Sequence, residues 1–371
     1  MELVLSELEK LMVDSARKLC SSGAGPKRAR AVRDRGGTLD RNAWTAIVNS
    51  GWLGMLVPEE LDGLGLGERE LLLVLEQAGR QVMPEPILSA VVAASMLGGA
   101  DTRAARALLA KVLARGYLCV PALPPSVGWR EMSPVPLTVQ QGQGRFDVSG
   151  TLPFVPDCAD AQGFLIAAGA GEGMVLFHAE RGRAGVAFTL APTVDGGSLG
   201  RLEFHRAPFA DSDLVASGAA AVELLGRAID VARLGAAAEL LGIMEEALAM
   251  TIAYLKVREQ FGRTLASFQA LQHRAASLYV DVEVCRSLIF EACRAGGTRM
   301  AAAAAAAAKV RASEAALRVT KDCIQLHGAI GFADEHDIGL YLRRAMVLAA
   351  RYGDPRALRS DYARGARLLE Q

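Results

Sequence analysis

Residues 254–272 read YLKVREQFGRTLASFQALQ. Tyr254 to Arg258 sits at a helix end, Phe261-Gly262 makes a turn, and Phe268-Gln269 opens the next helix. Two readings of that turn stand side by side. In the structural one, Arg258 is a solvent salt-bridge partner, Phe261 a core plug and Gly262 a helix C-cap. In the functional one, an Arg with an aromatic three residues on holds a planar, anionic ligand, the guanidinium taking phosphate and the ring taking a heterocycle.

Downstream, residues 325–332 read QLHGAIGF and lead into ADEHDIGLYLRR at 333–344. Gly328 and Gly331 follow a helix ending in Gln325-Leu326-His327. They mark either close backbone approach to a ligand or an ordinary helix–turn–helix corner. Around them, from Gly218 onward, long Ala/Leu/Arg segments with few breakers predict a helical block. The eight alanines at 301–308 continue in period to Leu317 and read as a packed helix.

Upstream the texture changes. From about 117 to 214, Pro121, Pro124, Pro125, Pro134 and Pro136 exclude a long helix. Short apolar runs separated by glycines, such as GFLIAAG, GMVLFHAE and GVAFTLAP, predict a meander of strands. Residues 1–115 return to helical spacing, broken at 21–25, 57–67 and 83–86. The first twenty residues form an amphipathic helix without the basic, apolar and small-residue order of a signal peptide. Helices, then strands, then helices exclude a doubly wound α/β fold, and no G-x-G-x-x-G follows a strand.

Composition narrows the function classes. The 371 residues carry 41 Lys+Arg against 41 Asp+Glu and are 51% hydrophobic. Balanced charge removes the electrostatic drive toward nucleic acid or an anionic membrane surface. The longest apolar stretches, 86–100 and 300–308, fall short of a membrane span. Six scattered cysteines lack any C-x-x-C pair, and five histidines lack ligand spacing. Reduced thiols in a cytoplasmic protein, with no metal, no nucleic acid and no membrane insertion, are expected.

Taken in order, three segments resemble the acyl-CoA dehydrogenase family. Residues 254–272 are similar to its flavin-binding helix junction, 325–332 to its Q-x-x-G-G-x-G-F segment, and 51–67 (GWLGMLVPEELDGLGLG) to its G-L-L-G-x-x-x-P-E-E-x-G-G-x-G block. The resemblance implies an α+β, mostly α, chain: a helical N-terminal domain at 1–115, a middle β-barrel at 116–215 and a C-terminal four-helix bundle at 216–371. It also implies FAD in a cleft at a subunit interface, the isoalloxazine cradled by one chain and the adenosine and pyrophosphate gripped by the other. Carried over position by position, the gripping residues are Arg258, Phe261, Phe268, Gln325 and Gly328, with Ala329 standing where the family usually has a second Gly.

The resemblance breaks where the family does its chemistry. Its base, a desolvated Glu that removes the α-proton of the thioester, lies at one of two positions. Here these hold Tyr352, in ARYGD at 350–354, and Ala232, in DVARLGAAAELLG at 230–242. Asp354 and Glu239 stand nearby, each out of register. The T-E-P-x-x-G-S-D loop is replaced by VPALPPSVGWREMS at 120–133, and the W-I-T segment by Phe154-Val155-Pro156. Pro156 has neither hydroxyl nor N–H to offer.

The loss is selective, and it resembles the non-catalytic subunit of heteromeric (α2β2) bacterial acyl-CoA dehydrogenases that degrade steroid side chains. On that resemblance the chain has no catalytic residue of its own. Arg233 is the candidate substrate contact, an acyl-CoA the substrate, a second acyl-CoA dehydrogenase-like chain the partner, and electron-transfer flavoprotein the acceptor. Two alternatives remain: a homo-oligomeric flavoenzyme with altered chemistry or a relocated base, and a scaffold paralogue without flavin. Smaller expectations accompany these. Trp52 and Met55 belong to a core, His273, His327 and His336 are solvated or capping, and Glu335 or Asp337 pairs with Arg343 or Arg344.

Overall fold

The computed structural model describes residues 5–22, 25–36, 39–123, 135–142, 145–171 and 173–367. Two compact units divide the chain: one gathers Met1–Ala31, Leu72–Met83 and Arg233–Gln371, the other Val32–Leu71 and Pro84–Ala232. The N-terminal third therefore contributes to both.

The first unit is a helical bundle. Its opening helix α1 (Glu7–Ser21) starts at a capping box: the Ser6 hydroxyl accepts from Glu9 N, and Ser6 N donates to the Glu9 carboxylate at 2.6 Å. Two orphan amides are thereby satisfied at the helix start. From α1, Val13 packs with Leu73 and Phe290. The C-terminal helices are α7 (Gly218–Val257), α8 (Gln269–Arg294), α9 (Ala301–His327), α10 (Ile338–Ala350) and α11 (Pro355–Arg367), and α9 packs against the other three of the last four. The expected alanine helix is the start of α9, where Ala302, Ala305, Ala306 and Ala308 are buried. Alanine suits this place: it favours helix and lets neighbouring backbones come close.

Close approach goes furthest where α4 (Glu68–Arg80) crosses α7. A Cβ on Gly242 would lie 1.9 Å from the Glu76 carbonyl oxygen, and one on Gly79 would lie 2.1 Å from that of Glu239. Each helix thus presents a glycine to the other's backbone. Flanking the crossing, Arg80 meets Glu245 at 2.6 Å and Glu246 at 3.6 Å, while Arg286 of α8 pairs with Glu76 at 3.3 Å and also with Glu245. From α10, the Tyr341 hydroxyl donates to the Arg80 carbonyl at 2.9 Å, and Arg344 pairs with Glu239. Asp337 pairs with Arg30 at 3.0 Å rather than with Arg343 or Arg344, because α2 (Pro26–Asp34) brings Arg30 nearer.

The second unit joins helices to a sheet. Trp52 and Met55 are buried as expected, and α5 (Ile87–Gly98) is buried along nearly its whole length. Trp44 Nε1, on α3 (Arg41–Asn49), donates to the Gly116 carbonyl at 2.8 Å, closing α3 against the end of α6 (Arg103–Arg115). The strands are β1 (Cys119–Pro121), β2 (Leu137–Gly142), β3 (Arg145–Pro156), β4 (Gly163–Ala170), β5 (Gly173–Glu180), β6 (Val186–Pro192), β7 (Ser198–Phe209) and β8 (Leu214–Ser217).

They form one mixed sheet in the order β6-β7-β3-β2-β4-β5-β8, with β1 parallel to β4. The expected closed barrel is not formed among the described residues, where the path ends at β6 and β8. No pairing joins the edge strands β6 and β8 there, and in the middle β2 meets β4 at the single register pair Thr138↔Gly169, which joins two antiparallel halves. Bulges in β3 between Val148 and Gly150, and between Leu152 and Val155, bend one half. Phe146, Phe177, Phe204 and Phe209 fill the sheet's core, with Phe177 ring centroids 5.2 Å from Phe146 and 4.9 Å from Phe209. No helix among the described residues is long and apolar enough to cross a membrane.

Candidate functional site

Helix α7 ends at Val257, and Arg258 N still donates to the Tyr254 carbonyl at 2.9 Å. The chain then makes a hairpin: β9 (Glu259–Gln260) pairs antiparallel with β10 (Arg263–Thr264), and Leu265 N closes its base on the Arg258 carbonyl. At the tip Phe261 and Gly262 both have positive φ, 55° and 75°, the two-residue turn that matches strand twist. Glycine accepts that conformation freely; phenylalanine is strained in it. The strained ring is 91% exposed. Behind it, Phe268 lies 6.2 Å away edge-on, with the Arg263 guanidinium 4.0 Å over its face. The hairpin tip presents Phe261 outward and Arg258 is exposed at its base, which removes the core-plug reading of Phe261 and the C-cap reading of Gly262.

The second segment begins where α9 ends. Gly328 has φ 68° and ψ −142°, a backbone region essentially reserved for glycine. Nothing lies within 4 Å of where its Cβ would stand, so the peptide there is open on that side. Gln325 and Ala329 are exposed, as are Ile330 and Phe332. The two segments meet through one contact. Tyr254 of α7 stacks on His327 of α9, ring centroids 4.7 Å apart and planes 25° from parallel. Arg258 stands one turn past Tyr254, and Gln325 and Gly328 flank His327, so these three stand at adjoining helix ends of the first unit, with Phe261 at the hairpin tip and Phe268 at the start of α8.

His327 itself is not solvated. It is 3% exposed, its Nδ1 stands 2.8 Å from the Cys323 carbonyl, and its Nε2 has no hydrogen-bond partner. Burial holds its pKa below the ordinary imidazole range. His336 behaves as a cap, its Nδ1 accepting from Ile338 N at 3.2 Å.

The remaining candidates sit elsewhere. Arg233 is buried, its Nε donating to the Tyr352 carbonyl at 3.2 Å. Beside it Lys309, fully buried, donates to Ser313 Oγ at 2.8 Å and to the Ala349 carbonyl at 3.1 Å. Burial, with Arg233 next, pushes the Lys309 ammonium down to about 7. These two cations hold the turn after α10, where Tyr352 is buried with φ 60°. Ala232 is buried within α7.

Neither neighbouring carboxylate is idle. Glu239 is 6% exposed and ion-paired with Arg344 at 3.0 Å, and Asp354 caps α11, accepting from Arg356 N at 2.7 Å. In the second unit Phe154 is exposed with φ 62° at the β3 bulge, and Asp157 accepts from Ser89 Oγ at 2.6 Å. Of the loop at 120–133, residues 124–133 lie outside the described residues. No sequence signal pointed to Lys309, whose burial depends on Ala349 and Arg233 from other helices.

The gathered residues suit one end of a dinucleotide. A guanidinium matches pyrophosphate, an exposed ring matches a heterocycle, and an open glycine corner lets backbone approach a phosphate. FAD fits that description at its adenosine and pyrophosphate end. Residues 6–118 match the family described as the acyl-CoA dehydrogenase N-terminal domain, and residues 222–366 its C-terminal domain. Acyl-CoA dehydrogenase IpdE2 of Mycobacterium tuberculosis is 31% identical over 353 residues, 94% of each chain. Among solved structures, the Tcur3481-Tcur3483 steroid ACAD superposes with a TM-score of 0.86 at 30% identity, covering 98% of this chain and 99% of that one. The ChsE4-ChsE5 complex of M. tuberculosis does so with a TM-score of 0.86 at 25% identity, covering 100% and 99%. With both terminal domains matched and a relative alike along almost its whole length, the chain belongs to the acyl-CoA dehydrogenase family.

Proposed function

We propose that this chain is one subunit of a heteromeric, FAD-dependent acyl-CoA dehydrogenase acting on a bulky, steroid-type acyl-CoA, and that it supplies the adenosine and pyrophosphate side of a flavin site completed by an unlike chain. The observation that carries the reading is an asymmetry. Arg258, Phe261, Gln325 and the Gly328 corner stand ready and open to solvent, while the positions where the family keeps its base hold a buried Tyr352 and a buried Ala232.

Apolar exposure supports a partner at that face. Val257, Phe261, Ile330 and Phe332 are 77%, 91%, 47% and 77% exposed, all close in sequence to the gripping residues. Exposed apolar side chains gathered in this way mark a contact surface. Two of the similar solved structures are complexes of two differently named chains. In the family's chemistry a bound flavin accepts the hydride from the β-carbon of the acyl group. This chain's part is to bind and orient: Arg258 toward pyrophosphate, Phe261 and Phe268 toward the adenine ring, Gln325 and Gly328 N–H toward the phosphate and ribose oxygens. The base and the isoalloxazine cradle come from the partner, and electron-transfer flavoprotein is the acceptor.

Buried Arg233 is assigned, within this reading, to hold the Tyr352 turn rather than to touch acyl-CoA directly. The visible spectrum of the purified chain, alone and co-expressed with the chain encoded beside it, tests the reading. A colourless chain and a yellow complex support it. A chain that is yellow by itself contradicts it and favours a self-sufficient flavoenzyme; absence of flavin from both contradicts it and favours a scaffold.

A further inference from the structure

Between the two halves of the grip lies a group that no part of the reading above uses. His327 is buried, and the carbonyl of Cys323 beside its Nδ1 is an acceptor, so Nδ1 carries the proton and the ring is the Nδ1–H tautomer. Nε2 is then a bare lone pair, buried and unmatched. One face of the ring lies on Tyr254, and the His336 ring stands 4.7 Å away at 59°.

We propose that His327 is a positioning residue for the dinucleotide: anchored to Cys323 and stacked on Tyr254, its ring fixes the end of α7 that carries Arg258 against the end of α9 that carries Gln325 and Gly328. This rests on the shared-site reading of those residues. Arg258 follows Tyr254 within one helical turn, and Gly328 follows His327 directly, so a ring contact between the two helices sets the separation of the guanidinium from the glycine corner.

The same geometry gives the ring a charge requirement. A proton on Nε2 would create a buried N–H with no acceptor, facing a second imidazole. The groups around it offer no compensating charge. Tyr254 faces it from α7, Cys323 from α9 and His336 from the following segment, while the Asp337 carboxylate is engaged by Arg30. Acidification therefore separates the stack and loosens the grip.

The test is FAD affinity of the co-expressed complex, followed by flavin fluorescence from pH 8 to pH 5, for wild type, His327→Phe, His327→Ala and Arg258→Ala. His327→Phe keeps a ring that cannot titrate, so its affinity stays flat where wild type weakens on acidification. His327→Ala binds about fivefold more weakly at pH 8, the worth of one aromatic pair. In the isolated chain, imidazole nitrogen NMR shows His327 as the Nδ1–H tautomer at pH 7. A His327→Phe profile that falls like wild type, a His327→Ala affinity equal to wild type, or an Nε2–H tautomer overturns the proposal. Arg258→Ala separates the two ideas. If it weakens binding while the His327 variants behave as wild type, only the positioning role fails; if it binds normally, the shared site fails with it.

Discussion

Phe261 carries the tension between stability and function at the scale of single residues. Its φ of 55° is one that an L side chain adopts at a cost, and its ring is left in solvent. Among the described residues, the ring's one aromatic contact in the isolated chain is the edge-on one with Phe268. Phe261→Asn, a residue at ease in left-handed backbone, should raise stability by up to about 1 kcal/mol in chemical denaturation. The complex should meanwhile lose flavin. Lys309 makes a second case. With its pKa near 7 when folded and about 10.4 when unfolded, the unfolded chain binds the proton more tightly. Its contribution to stability therefore improves as pH rises from about 7 toward 10. Wild-type stability should climb over that window relative to Lys309→Met, and parallel pH profiles would contradict the assignment. The helix end, the turn and the helix start around Arg258 and Phe261 were legible in the sequence because they are local, while the gripping role of these residues came from the family resemblance alone. His327 and Lys309 were not legible, because burial of each depends on side chains brought from distant helices.

Elements show where long-range pairing sets the structure. The crossing of α4 on α7 depends on Gly79 and Gly242, each facing a carbonyl of the other helix. Gly242→Ala forces the helices apart and should cost about 1–3 kcal/mol, seen as a lower denaturation midpoint with unchanged slope. A wild-type midpoint would mean the crossing is looser than described. The helical blocks and the turn between α7 and α8 followed from periodicity and turn chemistry, though not the short strand pair that flanks that turn. The strands followed as well, but their closure did not, since it is a matter of which strands pair, and among the described residues the path ends at β6 and β8. The ion pair of Asp337 escaped for the same reason: Arg30 lies 307 positions away in the chain.

At the scale of the whole molecule, the residues that would grip a dinucleotide are present and exposed, and the positions for a base are filled by buried Tyr352 and Ala232. On the proposed reading such a chain acts only in company, with its flavin colour and its turnover belonging to an assembly. The assembly should separate as a larger, yellow species from a colourless single-chain preparation in size-exclusion chromatography. Flavin content of the complex rebuilt with Arg258→Ala decides whether this chain grips the dinucleotide. The side chain is exposed at a helix end, so the substitution should leave folding intact, and size-exclusion chromatography checks that the complex still assembles. The account predicts an assembled complex that has lost its absorbance near 450 nm. An assembled complex that keeps its full flavin would contradict it.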